Sequence, residues 1–252
     1  MKLCILLPTF NNVDTIEGLV AALKPFDYPI VIVNDGSGET MNAVLQRIES
    51  QGGIALIHRP GNGGKGAAVT DGIRWAKNNG FTHVLQMDAD HQHCVADVPR
   101  FVKAATQHPR SLILGKPIFP PNTPRARLNG RKISIVWVWI ETLSAEIKDP
   151  LFGYRVYPVN ETDRTLKWPF IGKRMEFDPE IAVRLVWRGV PVVNLETEVT
   201  YHDGGISHFH YFYDNVRISW MHTRLFIGML LRIGILLARR IIGRRTERQA
   251  HS

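Results

Sequence analysis

The chain has 252 residues, 44% of them hydrophobic and 21% charged, enough to bury a substantial core and too apolar for wholesale disorder. Its net charge of +8 sits at one end: residues 216–252 carry eight arginines against the single Glu247, leaving 23 basic and 22 acidic residues in the body. Two cysteines, Cys4 and Cys94, exclude a disulfide framework and a thiolate metal cluster, and the opening residues lack the length and cleavage site of a signal peptide, so the expected setting is cytosolic.

Short apolar runs at 3–7, 30–34, 54–57 and 83–87 read as buried strands, and helix-like segments at 13–23, 40–50 and 66–78 lie between them. This alternation predicts a parallel sheet with crossover helices. Ligands of such sheets gather at the carboxyl ends of the strands. Pro8-Thr9-Phe10-Asn11-Asn12 follows the first run and Asp35-Gly36-Ser37 the second. The 60–66 segment follows the third, and Asp88-Ala89-Asp90 the fourth. Further on, four prolines within 117–124 predict a loop, and a helix is expected over 127–147, broken by Asp149-Pro150. A last helix, 179–188, and a strand, 191–201, complete the body.

Asp88 and Asp90, one residue apart at a strand end, can both reach a hard divalent cation, with diphosphate oxygens completing its shell. The alternative is a solvated turn. His91 and His93 beside them read either as ligands or as packed or solvated imidazoles. Asp35 has two readings, a hydrogen-bond acceptor for a nucleobase N–H or an Asx turn with Gly36 and Ser37. In Gly61-Asn62-Gly63-Gly64-Lys65-Gly66, glycines allow backbone N–H groups to approach an anion and Lys65 adds charge, although the spacing is not that of a Walker loop.

Taken in order, Pro8-Thr9-Phe10-Asn11-Asn12, Val33-Asn34-Asp35-Gly36-Ser37, Asn62-Gly63-Gly64-Lys65-Gly66 and Asp88-Ala89-Asp90-His91-Gln92-His93 resemble the family 2 glycosyltransferases, and among them the polyprenyl (dolichyl) phosphate sugar synthases. The resemblance covers roughly the first 160 residues. It implies an α/β GT-A-type, Rossmann-like fold, a nucleotide diphosphate sugar donor linked to uridine or guanosine, Mg²⁺ or Mn²⁺, and inversion at the anomeric carbon. By position, Pro8, Thr9, Asn11 and Asp35 belong to the donor site, with Asp35 at the base. Asp88, Asp90 and Gln92 are implied as the metal set. Arg131 and Ser134, in a helix-opening stretch, are similar to the family's phosphate-binding residues. Asp149-Pro150-Leu151-Phe152-Gly153-Tyr154-Arg155 resembles an Asp-x-x-Ser-Gly-Phe-Arg segment, with Phe152 where serine is usual. Lys65 or Arg155 is expected to stabilise the departing diphosphate. An acceptor phosphate needs no base, whereas a hydroxyl acceptor does, and Asp178 is the candidate for that role, alongside Asp90 at the reaction centre.

From Asn215 onward the chain changes character. Arg217, Arg224, Arg232 and Arg239 fall within about 80° of arc on one continuous helix, opposite Leu225, Phe226, Leu230, Leu236 and Leu237. The apolar stretch is too short to span a bilayer. The expectation is therefore a GT-A domain over 1–212 and a basic amphipathic tail over 213–252. That tail would lie in a membrane interface, with Trp220 as anchor and Arg239, Arg240, Arg244 and Arg245 on anionic lipid. A stripe packed on the body, or nucleic-acid binding with no motif to support it, are the alternatives; nucleic acid is not expected as a partner. The function these features imply is transfer of a sugar from a nucleotide diphosphate sugar to a membrane lipid acceptor, foremost polyprenyl phosphate, at the cytoplasmic face. A glycolipid hydroxyl acceptor and a non-catalytic nucleotide-sugar-binding adaptor are the rivals.

Overall fold

The structure is a computed structural model, which describes residues 1–121, 123–200 and 211–250. In chain order its elements are β1 (Leu3–Thr9), α1 (Val13–Leu23), β2 (Ile30–Asn34), α2 (Glu39–Ser50), β3 (Ile54–His58), α3 (Lys65–Asn78), β4 (His83–Gln86), α4 (Val98–Gln107) and β5 (Leu112–Ile118). Then come α5 (Arg125–Thr142), β6 (Arg155–Pro158), α6 (Val159–Leu166), α7 (Phe177–Trp187), β7 (Val192–Glu198), α8 (Tyr211–Leu230) and α9 (Ile233–Ala250).

The strands form one sheet in the order β3-β2-β1-β4-β6-β5-β7. The expected parallel half is present, since β1 pairs in parallel with both β2 and β4, and β2 with β3. The other half, for which the alternation predicts no strand direction, is mixed, with β5 and β7 parallel. Strand β6 runs antiparallel to both β4 and β5. Apolar runs alone do not reveal β6, because it opens on Arg155, a charged residue with no exposed surface. Strand β3 is half-buried rather than buried, because it is the sheet edge.

Alternation along β1 builds two cores. Cys4 and Leu6 join α3, α7 and α8 on one face, while Leu3, Ile5 and Leu7 join α1, α2 and α4 on the other. Gly72 lets α3 press on β1, since a Cβ there would lie 2.2 Å from Leu6. Strand β1 pairs with β4 only as far as Leu6, yet stays paired with β2 to Thr9. The sheet therefore opens between the ends of β1 and β4, where strand order reverses. That is the place a doubly wound sheet offers a ligand.

Helix α5 ends at Thr142, short of the expected 147. Leu143 turns into the left-handed region (φ 51°), and the N–H groups of Leu143 and Ser144 bond back to Ile140 and Trp139.

The tail departs most from expectation. It is two helices bent by 71°, not one, and no single helix among the described residues is long and apolar enough to cross a membrane. Met221, Leu225 and Met229 of α8 are buried in the core shared with α7. Three arginines of the stripe engage the body, while Arg217 stays exposed beside Asp214: Arg224 reaches Glu180, Arg232 lies over the rings of Trp168 and Trp187, and Arg239 donates to the Trp187 carbonyl. Arg240 donates to the carbonyl of Leu143. Arg239 and Arg240 thus cap the carboxyl ends of α7 and α5, where cations find unpaired carbonyls and the negative end of the helix dipole. Exposed beside them are large apolar side chains: Trp220, Ile227 and Leu230 on α8, Leu231, and Ile235 and Leu237 on α9. Exposed Ile133, Val136 and Trp137 of α5 add to it. The side chains of Arg244 and Arg245 lie outside the described residues.

Candidate active site

Asp88 follows β4 at the opening of the sheet. Its backbone N–H donates to Nδ1 of His93 (3.3 Å), so that ring carries its proton on Nε2, 3.8 Å from Asp88 Oδ2. His93 is buried, stacked on Tyr154 at 5.2 Å and meeting the edge of Phe152 at 4.6 Å. Burial lowers the imidazole's pKa against the pull of Asp88 and Asp90, and the neutral ring serves as packing and as a brace for Asp88. Asp90 bends the chain, its Oδ1 accepting the N–H of Gln92 at 3.0 Å.

Lys65 opens α3 and reaches into this space. Its ammonium lies 2.6 Å from Asp88 Oδ1 and 2.7 Å from Asp178 Oδ2, with Asp178 carried on the first turn of α7. Burial opposes the charged lysine, but Asp178 and Asp88 outweigh it and raise its pKa well above the ordinary value. Burial likewise opposes a charged Asp88, yet the Lys65 ammonium brings its pKa down. Gly66 makes this approach possible, because a Cβ there would lie 2.4 Å from Phe177 at the head of α7.

Arg155, expected at the diphosphate, has no exposed surface. Its guanidinium donates to the carbonyls of Phe152 (2.7 Å), Pro150 (2.6 Å) and Asp178 (2.6 Å), and lies 3.7 Å from Asp178 Oδ1. In this structure it fixes the 150–153 loop and Asp178 relative to one another. Lys65 is the cation that bridges Asp88 and Asp178 at the opening.

Among its hydrogen bonds Asp35 makes no Asx turn. Its carboxylate accepts the N–H groups of Gly63 (3.0 Å) and Gly64 (2.7 Å) and pairs with Arg59. The anion held by the Gly-rich loop is therefore an internal one. The turn is instead closed by Asn34, whose Oδ1 accepts the N–H of Ser37, three residues on, at 3.0 Å. Gly36, at φ 72°, sits where a Cβ would lie 2.4 Å from Gly61, so the two loops touch backbone to backbone. Around them Pro8 and Thr9 are buried at the end of β1, and Thr9 donates to Asn12. Asn11 ties the first loop to the second through Ser37 and Gly38.

Arg131 spends its guanidinium on Asp149, at 2.6 and 2.9 Å, and Ser134 is buried nearby on α5. Phe152 is 7% exposed, and Gly115 makes room for it, since a Cβ at that glycine would lie 2.7 Å from the ring. The departure from serine at 152 is thus a packing substitution, absorbed by a glycine on β5.

The structure brings Lys65, Asp88, Asp178 and His93 together around the opening. Arg59 is the partner that reading the sequence misses; its spacing from Asp35 follows from parallel pairing of β2 with β3, which no local pattern announces. Among the described residues no cluster of three or more His, Cys, Asp and Glu side chains gathers to hold a metal. The local set is two carboxylates and one amide, all hard oxygen donors. Gly153 leaves Asp88 uncrowded, as a Cβ there would stand 2.3 Å from Oδ2. Such a set fits a hard divalent cation that draws its remaining ligands from a substrate.

Residues 4–157 match the family described as glycosyl transferase family 2. The chain is 26% identical over 212 residues to the polyprenol monophosphomannose synthase of Mycolicibacterium smegmatis, covering 81% of this chain and 79% of that one. It is 24% identical over 164 residues to the undecaprenyl-phosphate mannosyltransferase of Micrococcus luteus, covering 62% of this chain and 66% of that one. Among solved structures, glucosyl-3-phosphoglycerate synthase from Mycobacterium tuberculosis, with Mn²⁺, uridine diphosphate and phosphoglyceric acid, superposes with a TM-score of 0.63 at 16% identity. That match covers 91% of this chain and 77% of that one, a likeness of fold.

Proposed function

The chain belongs to glycosyl transferase family 2, and on that premise we propose that it moves a sugar, with inversion, from a nucleotide diphosphate donor to the phosphate of a membrane polyprenyl lipid. The observation that carries this reading is Asp88, held by Lys65 at the switch point of a GT-A sheet, with Asp90 and Gln92 beside it. Likeness to two proteins named as polyprenyl-phosphate mannosyl enzymes supports the acceptor class.

Asp88, Asp90 and Gln92 would hold the divalent cation, Mg²⁺ or Mn²⁺, whose charge offsets that of the departing diphosphate. The other tasks belong to the chain itself. Lys65, the cation at the opening, is positioned to stabilise negative charge on the diphosphate. Pro8, Thr9, Asn11 and Asp35 edge the donor crevice at the ends of β1 and β2. Arg155 and His93 keep Asp178 and Asp88 in register.

A second reading has its own support. Asp178 is 4% exposed, and its Oδ1 is buried with no hydrogen bond. That oxygen, 3.7 Å from the Arg155 guanidinium, keeps its capacity to accept a hydrogen bond, as a general base for a lipid-linked hydroxyl requires.

The exposed apolar side chains of α5, α8 and α9 support a membrane-interface location, with lipid meeting them rather than the arginines that engage the body. The deciding experiment is calorimetric titration of Mn²⁺ with UDP or GDP, beside an Asp88→Ala/Asp90→Ala variant. Metal-dependent binding of one nucleotide, lost in the variant, is the expected result and names the base. No binding of either nucleotide by folded protein with lipid present would sink the proposal.

A further inference from the structure

The 170–174 segment, which leads into α7, lies between the tail and the Gly-rich turn, and residues of all three line one groove. On the tail side, Arg224 of α8 makes two contacts. Its Nη1 donates to the Phe170 carbonyl, and its Nη2 lies 3.2 Å from Glu180 Oε2. Its Nε is buried without a hydrogen bond, so the hold of this guanidinium rests on those two contacts. Glu180 has no exposed surface. The same Oε2 accepts the Gly172 N–H at 2.8 Å, while Oε1 holds Arg184 at 2.6 and 2.9 Å. Arg224 and Glu180 therefore fix the segment at residues 170 and 172. Phe170 sits at φ 66°, a left-handed conformation that a bulky residue adopts only at a cost. Its ring is 81% exposed, so burial does not offset that strain. The contact of its carbonyl with Arg224 does.

On its other side the segment meets the turn that opens α3. The Lys173 carbonyl accepts the Ala67 N–H at 2.9 Å, shared with the Gly64 carbonyl at 3.0 Å. That N–H belongs to the first turn of α3, where a helix supplies no i−4 partner of its own. Arg174 donates to Asn62 Oδ1 at 3.0 Å. Gly64 permits the approach, since a Cβ there would lie 2.4 Å from Arg174 Cγ and 2.6 Å from the Lys173 oxygen. The Gly64 N–H in turn reaches Asp35, and Lys65 stands next in the chain. Within the segment, Glu176 Oε1 accepts the N–H groups of Lys173 (3.1 Å) and Arg174 (3.3 Å), whereas its Oε2 is buried without a hydrogen bond. That brace is only half used, and the link from the segment to the tail is Arg224.

We propose that Arg224 is a positioning residue for the donor site. Through Glu180 and the Phe170 carbonyl it sets the 170–174 segment, and the Lys173 carbonyl then sets the first turn of α3, which carries Lys65. Docking of α8 on the body and order at the Gly-rich turn are coupled by this contiguous chain of contacts. Arg239 provides the contrast. It too is a tail arginine donating to a carbonyl of the body, that of Trp187 at 2.7 Å, but at the far end of α7 from the segment. The consequence for nucleotide binding rests on the donor-site reading given above; the clasp itself does not.

Amide hydrogen exchange of the full chain, with no ligand present, tests the clasp. In Arg224→Met, peptides covering 63–67 and 170–174 should exchange roughly tenfold faster than in the wild type, whereas Arg239→Met should leave them unchanged. Arg224→Lys, which keeps a cation beside Glu180, should show a smaller increase in the same peptides. Exchange in β1 and β4 should stay at the wild-type level throughout; an increase spread over those strands means general loss of stability and overturns the assignment. Calorimetric titration of Mn²⁺ with UDP and with GDP tests the consequence. Arg224→Met should bind the preferred nucleotide about tenfold more weakly, and Arg239→Met like the wild type. Equal exchange at 63–67 in the two Met variants, or unchanged nucleotide affinity in Arg224→Met, overturns the proposal. Wild type that binds neither nucleotide overturns the donor reading instead, and exchange at 63–67 then decides the clasp by itself.

Discussion

The Lys65 ammonium lies 2.6 Å from Asp88 Oδ1, so a helix N-terminus and a strand end are pinned together by one ion pair at the opening of the sheet. Asp178, 2.7 Å away on the other side, makes Lys65 a bridge between two carboxylates from distant parts of the chain.

Replacing this lysine should be costly and pH-revealing. Lys65→Met leaves two largely buried carboxylates facing each other, and the expected loss is about 3 kcal/mol of unfolding free energy at neutral pH. Asp88 is held below its usual value of 3.8, so its contribution is present above that pH and fades as acid titrates the folded group. Lys65 is held above 10.5, so its contribution is present below that pH and fades on the alkaline side. Urea midpoints measured across pH should flatten on both limbs in the variant. Unchanged limbs would mean the ion pair contributes nothing to folding.

Asp178→Asn separates the two acceptor readings. If a hydroxyl is the acceptor, turnover falls by roughly 100-fold or more while nucleotide affinity holds, since only the proton acceptor is lost. If a lipid phosphate is the acceptor, turnover should change far less. Single-turnover rates with each acceptor, beside calorimetric donor affinity, distinguish these outcomes.

Gly153→Ala tests the space beside Asp88. The added Cβ would stand 2.3 Å from the carboxylate, so either the loop or the aspartate must shift. We expect a cost of about 1–3 kcal/mol and weaker Mn²⁺-dependent nucleotide binding. Binding equal to wild type would argue that Asp88 has freedom to spare.

Phe152 and Gly115 should behave as a coupled pair. Phe152→Ser removes a buried ring at a cost of about 3–5 kcal/mol, and Gly115→Ala alone forces a 2.7 Å contact. With the ring gone, the extra methyl has room, so the double variant should cost less than the two singles added together. Strict additivity in denaturant unfolding would refute the fit.

On the tail, charge and apolarity should part company. Leu231→Glu, at a residue 80% exposed, should weaken binding to lipid vesicles with little effect on folding. Arg240→Gln should instead remove the cap on α5, lowering stability by about 0.3–1 kcal/mol while leaving vesicle binding near wild type. The opposite pattern would return the arginines to the lipid.

Much of this was legible in the sequence because it is local. Short continuous apolar runs mark β1 to β4, helix-like segments lie between them, and each short motif at a strand end carries its own chemistry. The donor-side motifs, and the family they resemble, belong to that class of information. What the sequence did not decide is which groups meet. Arg155 reads as a ligand contact until the antiparallel insertion of β6 buries it, and Asp35 reads as a free acceptor until strand pairing delivers Arg59 and the Gly-rich loop to it. The arginine stripe reads as a lipid-facing surface until α7 and α5 present their carboxyl ends to it. Charged side chains are long and their partners non-local, so their direction is set by where unpaired carbonyls and carboxylates lie in the folded chain. Only the tertiary structure supplies those.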